Sequence, residues 1–394
     1  FNGSKLAISD IMLPSIHNIV HIWLIALLAS TGGCYVQPTG VLNGLDLKLL
    51  KAVTSDLSAN RPVSPFVMST LLSQVWLGAR GSTRNEMSTT LGMSSQHMAA
   101  YKSALQQLGN AKTGVTTSVF NRIYHLSSFS VKPSYTGLLL NYYGSRPKVL
   151  PRDTVAAAKE INDLASEKTQ GNIKDLVTPK DLENVVMVLF GAIYFKGTWL
   201  YRFKTADKMN FLTPNGERAV TMMELKTELL AGYFRDYQAV ALPYKDQDYS
   251  LIVVQPHQRT LAAVKGLQSA LSSLDIGKIY GQLRKREQTV IMPRFKVEAK
   301  YKMPQYYKEL GIRKIFKPSA DFSGMSRERI YVKDIIQKAM IEVNEEGTTA
   351  AAAGVVLMTK SASLPFIVNR PFFAFVYHKK LKSVLFAAHV NDPS

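Results

Sequence analysis

The chain of 394 residues has a single cysteine, Cys34, so it can form no intrachain disulfide. Small secreted domains use several disulfides because their cores are too small to hold the fold together. A chain of this length with 46% hydrophobic residues can bury a large core, so the missing disulfides do not argue against secretion. From residue 34 onward the sequence also lacks an Asn-x-Ser/Thr acceptor for N-glycosylation.

Acidic side chains are scarce as well, since 29 Asp and Glu residues face 48 Lys and Arg residues and leave a formal net charge of +19. Such an excess favours association with polyanions through counterion release and electrostatic steering. A solvated basic face without any ligand is the simpler interpretation of the same charge. The densest short run is Arg284-Lys285-Arg286, and further cations surround it at Lys278, Arg294, Lys296, Lys300 and Lys302.

The sequence contains no Gly-x-Ser-x-Gly nucleophile motif, no His-Glu-x-x-His metal motif and no Gly-x-x-x-x-Gly-Lys-Ser/Thr phosphate loop. Its seven histidines do not have the spacing of metal ligands, so packed or solvated histidines are the simpler interpretation. We therefore predict that the chain is not an enzyme and has no metal site.

No proline-rich, glycine/serine-rich or single-charge linker separates the apolar segments, and no internal repeat is evident. One large α+β domain is therefore the simplest organisation. A polar start and a glycine stop predict a helix over Asp153 to Gly171. The stretch from Val185 to Phe190 is apolar on both faces and predicts a central strand. Val290 to Met292 and Phe295 to Val297 predict a second such strand, interrupted by Pro293.

The N-terminal segment differs in character from the rest of the chain. The apolar run from Ile22 to Ala29 is followed by small residues and is too short to span a membrane. We predict a signal peptide over residues 12–33, with Met12 as the start and residues 1–11 as an upstream or non-native extension. A buried N-terminal helix is the alternative. The signal peptide implies a secreted protein whose folded domain covers residues 34–394.

A tract of small, uncharged side chains near the C-terminus follows a predicted strand. Residues 341–344 alternate apolar and polar, as a half-buried strand does. Residues 348–353 then contain four consecutive alanines and no proline or charge, so the tract can enter a packed interior as a strand. From Thr348 to Lys360 the extended chain would reach roughly 43 Å. Because alanine is the best helix former, a surface loop or a short helix is the alternative.

Ten sequence blocks stand in a characteristic order along the chain. They are Val63-Ser64-Pro65-Phe66 and residues 77–83, 168–173, 192–199, 221–223, 242–244, 292–296, 332–339, 366–373 and 384–393. Together they resemble the serpin family of serine-protease inhibitors from about residue 40 to residue 394. The resemblance implies one serpin domain of the α+β class, with a large central β-sheet, further sheets, surrounding helices and an exposed reactive-centre loop at about residues 347–365.

The resemblance also implies a mechanism in which a protease cleaves the loop and the freed end enters the central sheet as a new strand. The native fold is then metastable, and the acylated protease is held in a covalent complex. In that mechanism Gly347 is the pivot and Thr348 is the first residue to enter. The implied hinge consists of Glu345, Glu346, Gly347, Thr348, Thr349, Ala350, Ala351, Ala352 and Ala353.

Lys360 is the only basic residue between residues 346 and 370. A trypsin-like protease accepts Lys or Arg at the cleaved bond because the carboxylate at the floor of its pocket needs a cationic partner. We therefore predict cleavage at Lys360-Ser361, in agreement with the count back from residues 369–371. The commonest serpin spacing from the hinge gives Ser361-Ala362 instead, a bond that suits a protease with a small pocket.

Three positions depart from the usual serpin pattern. Gly191 replaces an asparagine and Gln337 replaces a histidine, two side chains that commonly meet beneath the sheet where its strands part. Replacing both side chains avoids leaving one of them buried without its hydrogen-bond partner. We therefore expect the sheet to open differently from that of serpins with the usual pair. Thr349 stands where acidic residues are frequent and is expected to be tolerated because its side chain points to solvent.

In some serpins the helix just before the Pro-Arg-Phe-Lys strand binds glycosaminoglycans, and Lys278, Arg284, Lys285 and Arg286 fall there by resemblance. The implied partners are a trypsin-like serine protease in a covalent complex and, as a modulator, a glycosaminoglycan. No cofactor is required, a monomer is expected, and neither nucleic acid nor a membrane is expected as a partner. A non-inhibitory serpin acting as carrier or chaperone, and a serpin that mainly binds polyanions, are the alternatives.

The Lys360→Ala variant should lose all inhibition of trypsin, because the pocket carboxylate then has no cationic partner at the cleaved bond. Residual trypsin activity after incubation with the purified variant measures this. Retained inhibition together with cleavage between Ser361 and Ala362 would contradict the assignment of the bond.

Overall fold

The computed structural model describes residues 43–55, 58–109, 113–346 and 364–394, all within one compact unit. The predicted signal peptide lies outside these residues. No helix among them is long and apolar enough to cross a membrane. The described α-helices are α1 (Asn43–Val53), α2 (Pro65–Gly78), α3 (Gly81–Leu91), α4 (Ser95–Gly109), α5 (Pro133–Tyr143), α6 (Thr154–Lys168), α7 (Leu261–Ala270), α8 (Ile276–Gln282) and α9 (Pro304–Glu309).

Fourteen strands in the described residues form two sheets, which confirms the predicted α+β class. The strands are β1 (Arg61–Val63), β2 (Val115–His125), β3 (Lys148–Val149), β4 (Met187–Gly197), β5 (Lys204–Thr213), β6 (Gly216–Tyr233), β7 (Tyr237–Pro243), β8 (Tyr249–Pro256), β9 (Arg284–Pro293), β10 (Phe295–Lys302), β11 (Val332–Val343), β12 (Phe366–Ile367), β13 (Phe372–His378) and β14 (Ser383–Val390).

The five-stranded sheet has the order β10-β11-β4-β2-β3, so β4 lies at its centre. The central strand predicted from Val185 is confirmed, although it begins two residues later, at Met187, and continues to Gly197. Ten of its eleven residues are buried, because helices cover both faces of the sheet. Helix α2 contacts β2 and β4 on one face, and β14 of the second sheet lies on the other side of α2.

Helix α6 covers the opposite face of the five-stranded sheet, as its sequence predicts. Asp153 caps its first turn by accepting hydrogen bonds from the backbone N–H groups of Val155 and Ala156. The buried stripe is made of Ala157, Ala158, Ile161 and Ala165, which pack with Phe120 and Tyr124 of β2, Val188, Phe190 and Ala192 of β4, and Ile336 of β11. The small alanines let the helix axis approach the strands closely.

The predicted strand interrupted by Pro293 is wrong, because the two halves belong to different sheets. Strand β9 ends at Pro293 in a nine-stranded sheet with the order β1-β14-β13-β8-β7-β6-β9-β12, in which β5 also pairs with β6. Strand β10 begins at Phe295 in the five-stranded sheet. Proline has no N–H to continue a ladder of hydrogen bonds, so the chain crosses from one sheet to the other at Arg294.

Gln337 and Gly191 lie opposite each other in the pairing of β11 with β4. The Gln337 amide is fully buried and hydrogen-bonded: its Oε1 accepts from the Ser64 N–H at 3.2 Å and its Nε2 donates to the Ser64 carbonyl at 2.9 Å. A side chain at position 191 has no room, because a Cβ there would lie 2.5 Å from Val67 Cγ1 and 2.9 Å from Leu71 Cδ1. The Gln337 amide is therefore not left unpaired, as expected, because it bonds to Ser64, the residue just before α2.

The Gly191→Ala variant should lower the free energy of unfolding by about 1–3 kcal/mol, since the added methyl overpacks the contact between β4 and α2. Urea unfolding followed by tryptophan fluorescence measures the change. Gly266→Ala in α7 is the matched control, because a Cβ there meets nothing within 4 Å. Helix propensity should stabilise the control by up to about 1 kcal/mol. Equal effects of the two changes would contradict the packing argument.

Candidate functional site

Strands β4 and β11 run parallel side by side but part before they end. Their pairing extends from Met187 opposite Val332 to Tyr194 opposite Met340. Beyond that point β4 continues to Gly197 paired with β2, and β11 continues to Val343 paired with β10. The two strand ends are therefore separated by a slot, here called the strand slot, with one wall in each strand.

The direction of the strands determines what the strand slot can accept. Both β4 and β11 point towards it, so a chain that leaves β11 and turns back between them would run antiparallel to each. Antiparallel pairing is slightly more stable per residue than parallel pairing. A new strand at this position would also form two ladders of hydrogen bonds where one exists now.

The chain leaves β11 at residues that are tied to the segment following β4. The Trp199 N–H donates to the Glu346 carbonyl at 3.3 Å, and the Phe203 N–H donates to the Glu345 carbonyl at 3.0 Å. The indole Nε1 of Trp199 donates to the Asn344 carbonyl at 2.8 Å. Its ring stacks on Tyr244 with the centroids 4.4 Å apart, so the indole is held in place.

The side chains of the first two predicted hinge residues add to these contacts. Glu346 forms an ion pair with Arg202. Glu345 accepts a hydrogen bond from the Thr205 hydroxyl at 3.3 Å. The remaining predicted hinge residues, Gly347 to Ala353, and the predicted bonds at Lys360-Ser361 and Ser361-Ala362 lie outside the described residues.

The far end of the loop is anchored in the other sheet. Gln288 Nε2 of β9 donates to the Leu364 carbonyl at 2.9 Å, and Phe366 pairs with Val290 in the parallel register of β12 and β9. The buried Arg370 donates to the Pro256 and His257 carbonyls at 2.9 and 3.1 Å. The seventeen residues 347–363 thus connect one anchored end in each sheet.

The segment that follows α6, residues 169–186, passes over β11 to the edge strand β10 before it leads into β4. Lys338 of β11 approaches the Asp175 carbonyl at 3.4 Å. Asp181 forms ion pairs with Lys300 at 2.6 Å and Lys302 at 2.8 Å, both on β10. The segment thus links α6 to β10 at the level where β4 and β11 are still paired, since Lys300 and Lys302 lie opposite Lys338 and Ile336 of β11.

Electrostatics strengthen the Asp181 contact. Burial by itself raises the pKa of this carboxyl, but hydrogen bonds from Lys300, Lys302 and Thr178 outweigh it and hold the pKa well below its usual range. The same contact raises the pKa of Lys302. The ion pairs are therefore fully charged at neutral pH.

The four residues predicted to bind polyanions do not share one helix. Lys278 lies on α8, but α8 ends at Gln282, so the expected placement of the other three on that helix is wrong. They lie on β9, where Arg284 donates to the carbonyls of Gly281 and Leu283, Lys285 pairs with Glu228 at 2.6 Å, and the Arg286 guanidinium lies 5.6 Å from the Tyr233 ring centroid.

Replacing Asp181 by asparagine should lower the free energy of unfolding by about 1 kcal/mol at pH 7, after allowance for solvent screening. Because the folded-state pKa is depressed, the wild-type advantage is complete above the pKa of an unfolded aspartate, about 3.9. It is lost as the pH falls further, through the folded-state value. Urea unfolding of both proteins at several pH values measures it.

The control is Asp163→Asn, which breaks the exposed pair with Lys159 on α6. Exposed pairs four residues apart contribute only about 0.3–0.5 kcal/mol. If Asp181→Asn cost no more than this control, the Asp181 ion pairs would be shown to stabilise the sheet no more than an exposed pair does.

Comparison with known proteins agrees with the fold. The family model described as Serpin (serine protease inhibitor) matches residues 41–393. Iripin-8 of Ixodes ricinus is 31% identical over 371 residues, which cover 89% of this chain and 92% of the relative. Intracellular coagulation inhibitor 2 of Tachypleus tridentatus is 32% identical, and the match covers 84% of this chain and 85% of the relative.

Solved structures give the same result. Serpin48 of the insect Tenebrio molitor, described as a highly specific serpin, superposes with a TM-score of 0.81 at 29% identity and covers 92% of this chain and 100% of its own. Native protease nexin-1, solved with heparin, gives 0.81 at 24% identity, covers 90% of this chain and 100% of its own, and supports the fold alone. The family model and the relatives span most of the sequence, so the chain belongs to the serpin family of protease inhibitors.

Proposed function

We propose that the chain is a secreted suicide-substrate inhibitor of trypsin-like serine proteases. The observation that carries the proposal is the strand slot between β4 and β11, which opens beside the residues where the loop leaves β11. The other end of the loop is fixed in the nine-stranded sheet, so only the end attached to β11 is free to move after a cut.

The reaction begins as ordinary proteolysis. The protease serine hydroxyl attacks the Lys360 carbonyl, the bond to Ser361 breaks, and the amine of Ser361 leaves with the proton that the serine gave up. Lys360 is then an ester of the protease, and the chain from Thr348 to Lys360 is no longer joined to β12. This segment enters the strand slot between β4 and β11 and pairs with both.

The composition of the segment supports insertion. Thr348 to Ala353 carry no charge and no bulky group, so alternate side chains can pass over the core without displacing it. A non-inhibitory carrier or chaperone would be expected to have a hinge interrupted by proline, charge or bulk, and residues 347–353 have none.

Several parts of the proposal rest on sequence alone. Trypsin-like specificity rests on Lys360, with Ser361-Ala362 as the second candidate bond, and secretion rests on the signal peptide over residues 12–33. The inhibitor acts as a monomer, needs no cofactor and is consumed in the reaction. A glycosaminoglycan is proposed only as a modulator, and titration with heparin tests it at Lys278, Arg284, Lys285 and Arg286.

Mixing the purified protein with trypsin tests the mechanism and the bond together. Denaturing gels should show a covalent complex that survives boiling, and mass spectrometry should find a released fragment that begins at Ser361. Clean cleavage without a complex would overturn the inhibitory mechanism in favour of a non-inhibitory serpin.

The Thr348→Arg variant should be cleaved at an unchanged rate but form at least tenfold less covalent complex, because a charge would have to enter the sheet interior. The ratio of complex to cleaved protein on the same gels measures the partition. Thr349→Arg is the control, since the neighbouring side chain would point to solvent in an inserted strand. Equal loss of complex in both variants would contradict insertion in this register.

A further inference from the structure

Four exposed residues lie on or beside β9 near the anchored end of the loop and form one surface: Leu364, Arg286, Tyr233 and His257. We propose that this surface is an exosite: a second contact, outside the cleaved loop, for the acidic rim of the same protease that cleaves the loop. The inference rests on the proposed inhibitory function and adds a determinant of which protease is inhibited.

The exosite begins at the loop itself. Gln288 Nε2 holds the Leu364 carbonyl at 2.9 Å, while the Leu364 side chain is 83% exposed. Arg286 lies two residues earlier on β9. It is on the same face of the strand as Gln288, and the two Cα atoms are about 7 Å apart. The chain from Lys360 to Leu364 can span only about 13 Å, so a protease that cuts after Lys360 would be bound close to Leu364.

Aromatic rings continue the surface beyond Arg286. The Arg286 guanidinium lies 5.6 Å from the Tyr233 ring centroid, and Tyr233 is 48% exposed. The His257 ring stacks on Tyr233 with centroids 6.4 Å apart and an interplanar angle of 5°. His257 Nε2 lies 2.6 Å from the Phe234 carbonyl, which fixes the orientation of the imidazole. The rings are thus held in place before any partner binds.

The charges identify the chemistry of the partner. Arg286 has no carboxylate at salt-bridge distance among the residues that the structure describes, so its charge is available to an acidic group. Its neighbours on β9 are neutralised, since Lys285 pairs with Glu228 at 2.6 Å and Glu287 pairs with Lys226 at 3.3 Å. Arg284 lies on the same face two residues earlier, where it donates to backbone carbonyls. Two arginines beside two rings suit a local acidic patch.

The same contacts favour a protein over a long polyanion. A sulfated chain needs a longer run of available cations, and Lys285 and Lys226 do not extend this one. They project from the opposite face of the sheet, where they pair with Glu228 and Glu287. Arg and Tyr are the residue types that most often dominate protein interfaces. A standard interface buries about 800 Å² on each partner, so a bound protease extends well past the loop.

Anionic and cationic trypsin provide the test, because they share a preference for Lys and Arg and differ in surface charge. Arg286→Glu should slow inhibition of anionic trypsin about tenfold at low salt and change that of cationic trypsin less than twofold. Tyr233→Ala should slow anionic trypsin in the same way without changing the number of inhibitor molecules consumed per protease. The measured quantity is the second-order rate constant of inhibition.

Lys317→Glu is the matched control, since it makes the same change in net charge at an exposed site near α9, away from β6, β9 and β12. If Lys317→Glu and Arg286→Glu slowed anionic trypsin equally, the effect would be general steering and the exosite would be refuted. If Arg286→Glu weakened binding to heparin and left both trypsin rates unchanged, the surface would be a polyanion site instead. Failure of the wild-type protein to form a complex with either trypsin would overturn the proposed function and the exosite with it.

Discussion

The parallel pairing of β4 with β11 is the constraint on which the rest of the structure depends. Two long parallel strands are neighbours in the five-stranded sheet, and they share hydrogen bonds only as far as Tyr194 and Met340. A chain that leaves β11 at this end can return between the two strands as an antiparallel neighbour of both, without a crossover connection. The arrangement therefore leaves an edge on each strand to which an added strand could pair.

Two sets of contacts hold the sheet together around β4 and β11, one at the mouth of the strand slot and one where the two strands are still paired. At the end of β11, Trp199 and Phe203 bind the backbone of residues 344–346. Over the face of the sheet, the segment after α6 reaches β10 through Asp181. Both sets consist of hydrogen bonds and ion pairs rather than interdigitated apolar side chains, so they can be broken without dismantling a core. Beneath the sheet, the Gln337 amide is satisfied by Ser64 rather than across the slot, so separating the strands does not by itself leave it unpaired.

The sequence predicted those features that local patterns encode. Helix α6 could be predicted because Asp153 is a strong capping residue and its small apolar residues recur with helical spacing. Strand β4 could be predicted because it is apolar on both faces. The change of sheet at Pro293 could not, because a proline is equally compatible with a bulge and with a crossing between sheets. The placement of Arg284 to Arg286 failed because α8 ends at Gln282, two residues before Arg284. The contact between Trp199 and Asn344 joins residues 145 positions apart, and no local pattern reports such a pairing.

The attachment of the two loop ends to different sheets has a consequence for the reverse reaction. A protease catalyses the synthesis of a peptide bond as well as its cleavage, and an amine held next to an acyl-enzyme reacts at a high effective concentration. In the proposed mechanism the new amine at Ser361 would stay with Leu364, whose carbonyl is bonded to Gln288 of β9, while the acylated Lys360 would depart with the chain attached to β11. Separation of the two ends would lower that effective concentration towards zero. The geometry of the two attachments would thereby make the cut irreversible, whatever the rate at which the ester is hydrolysed.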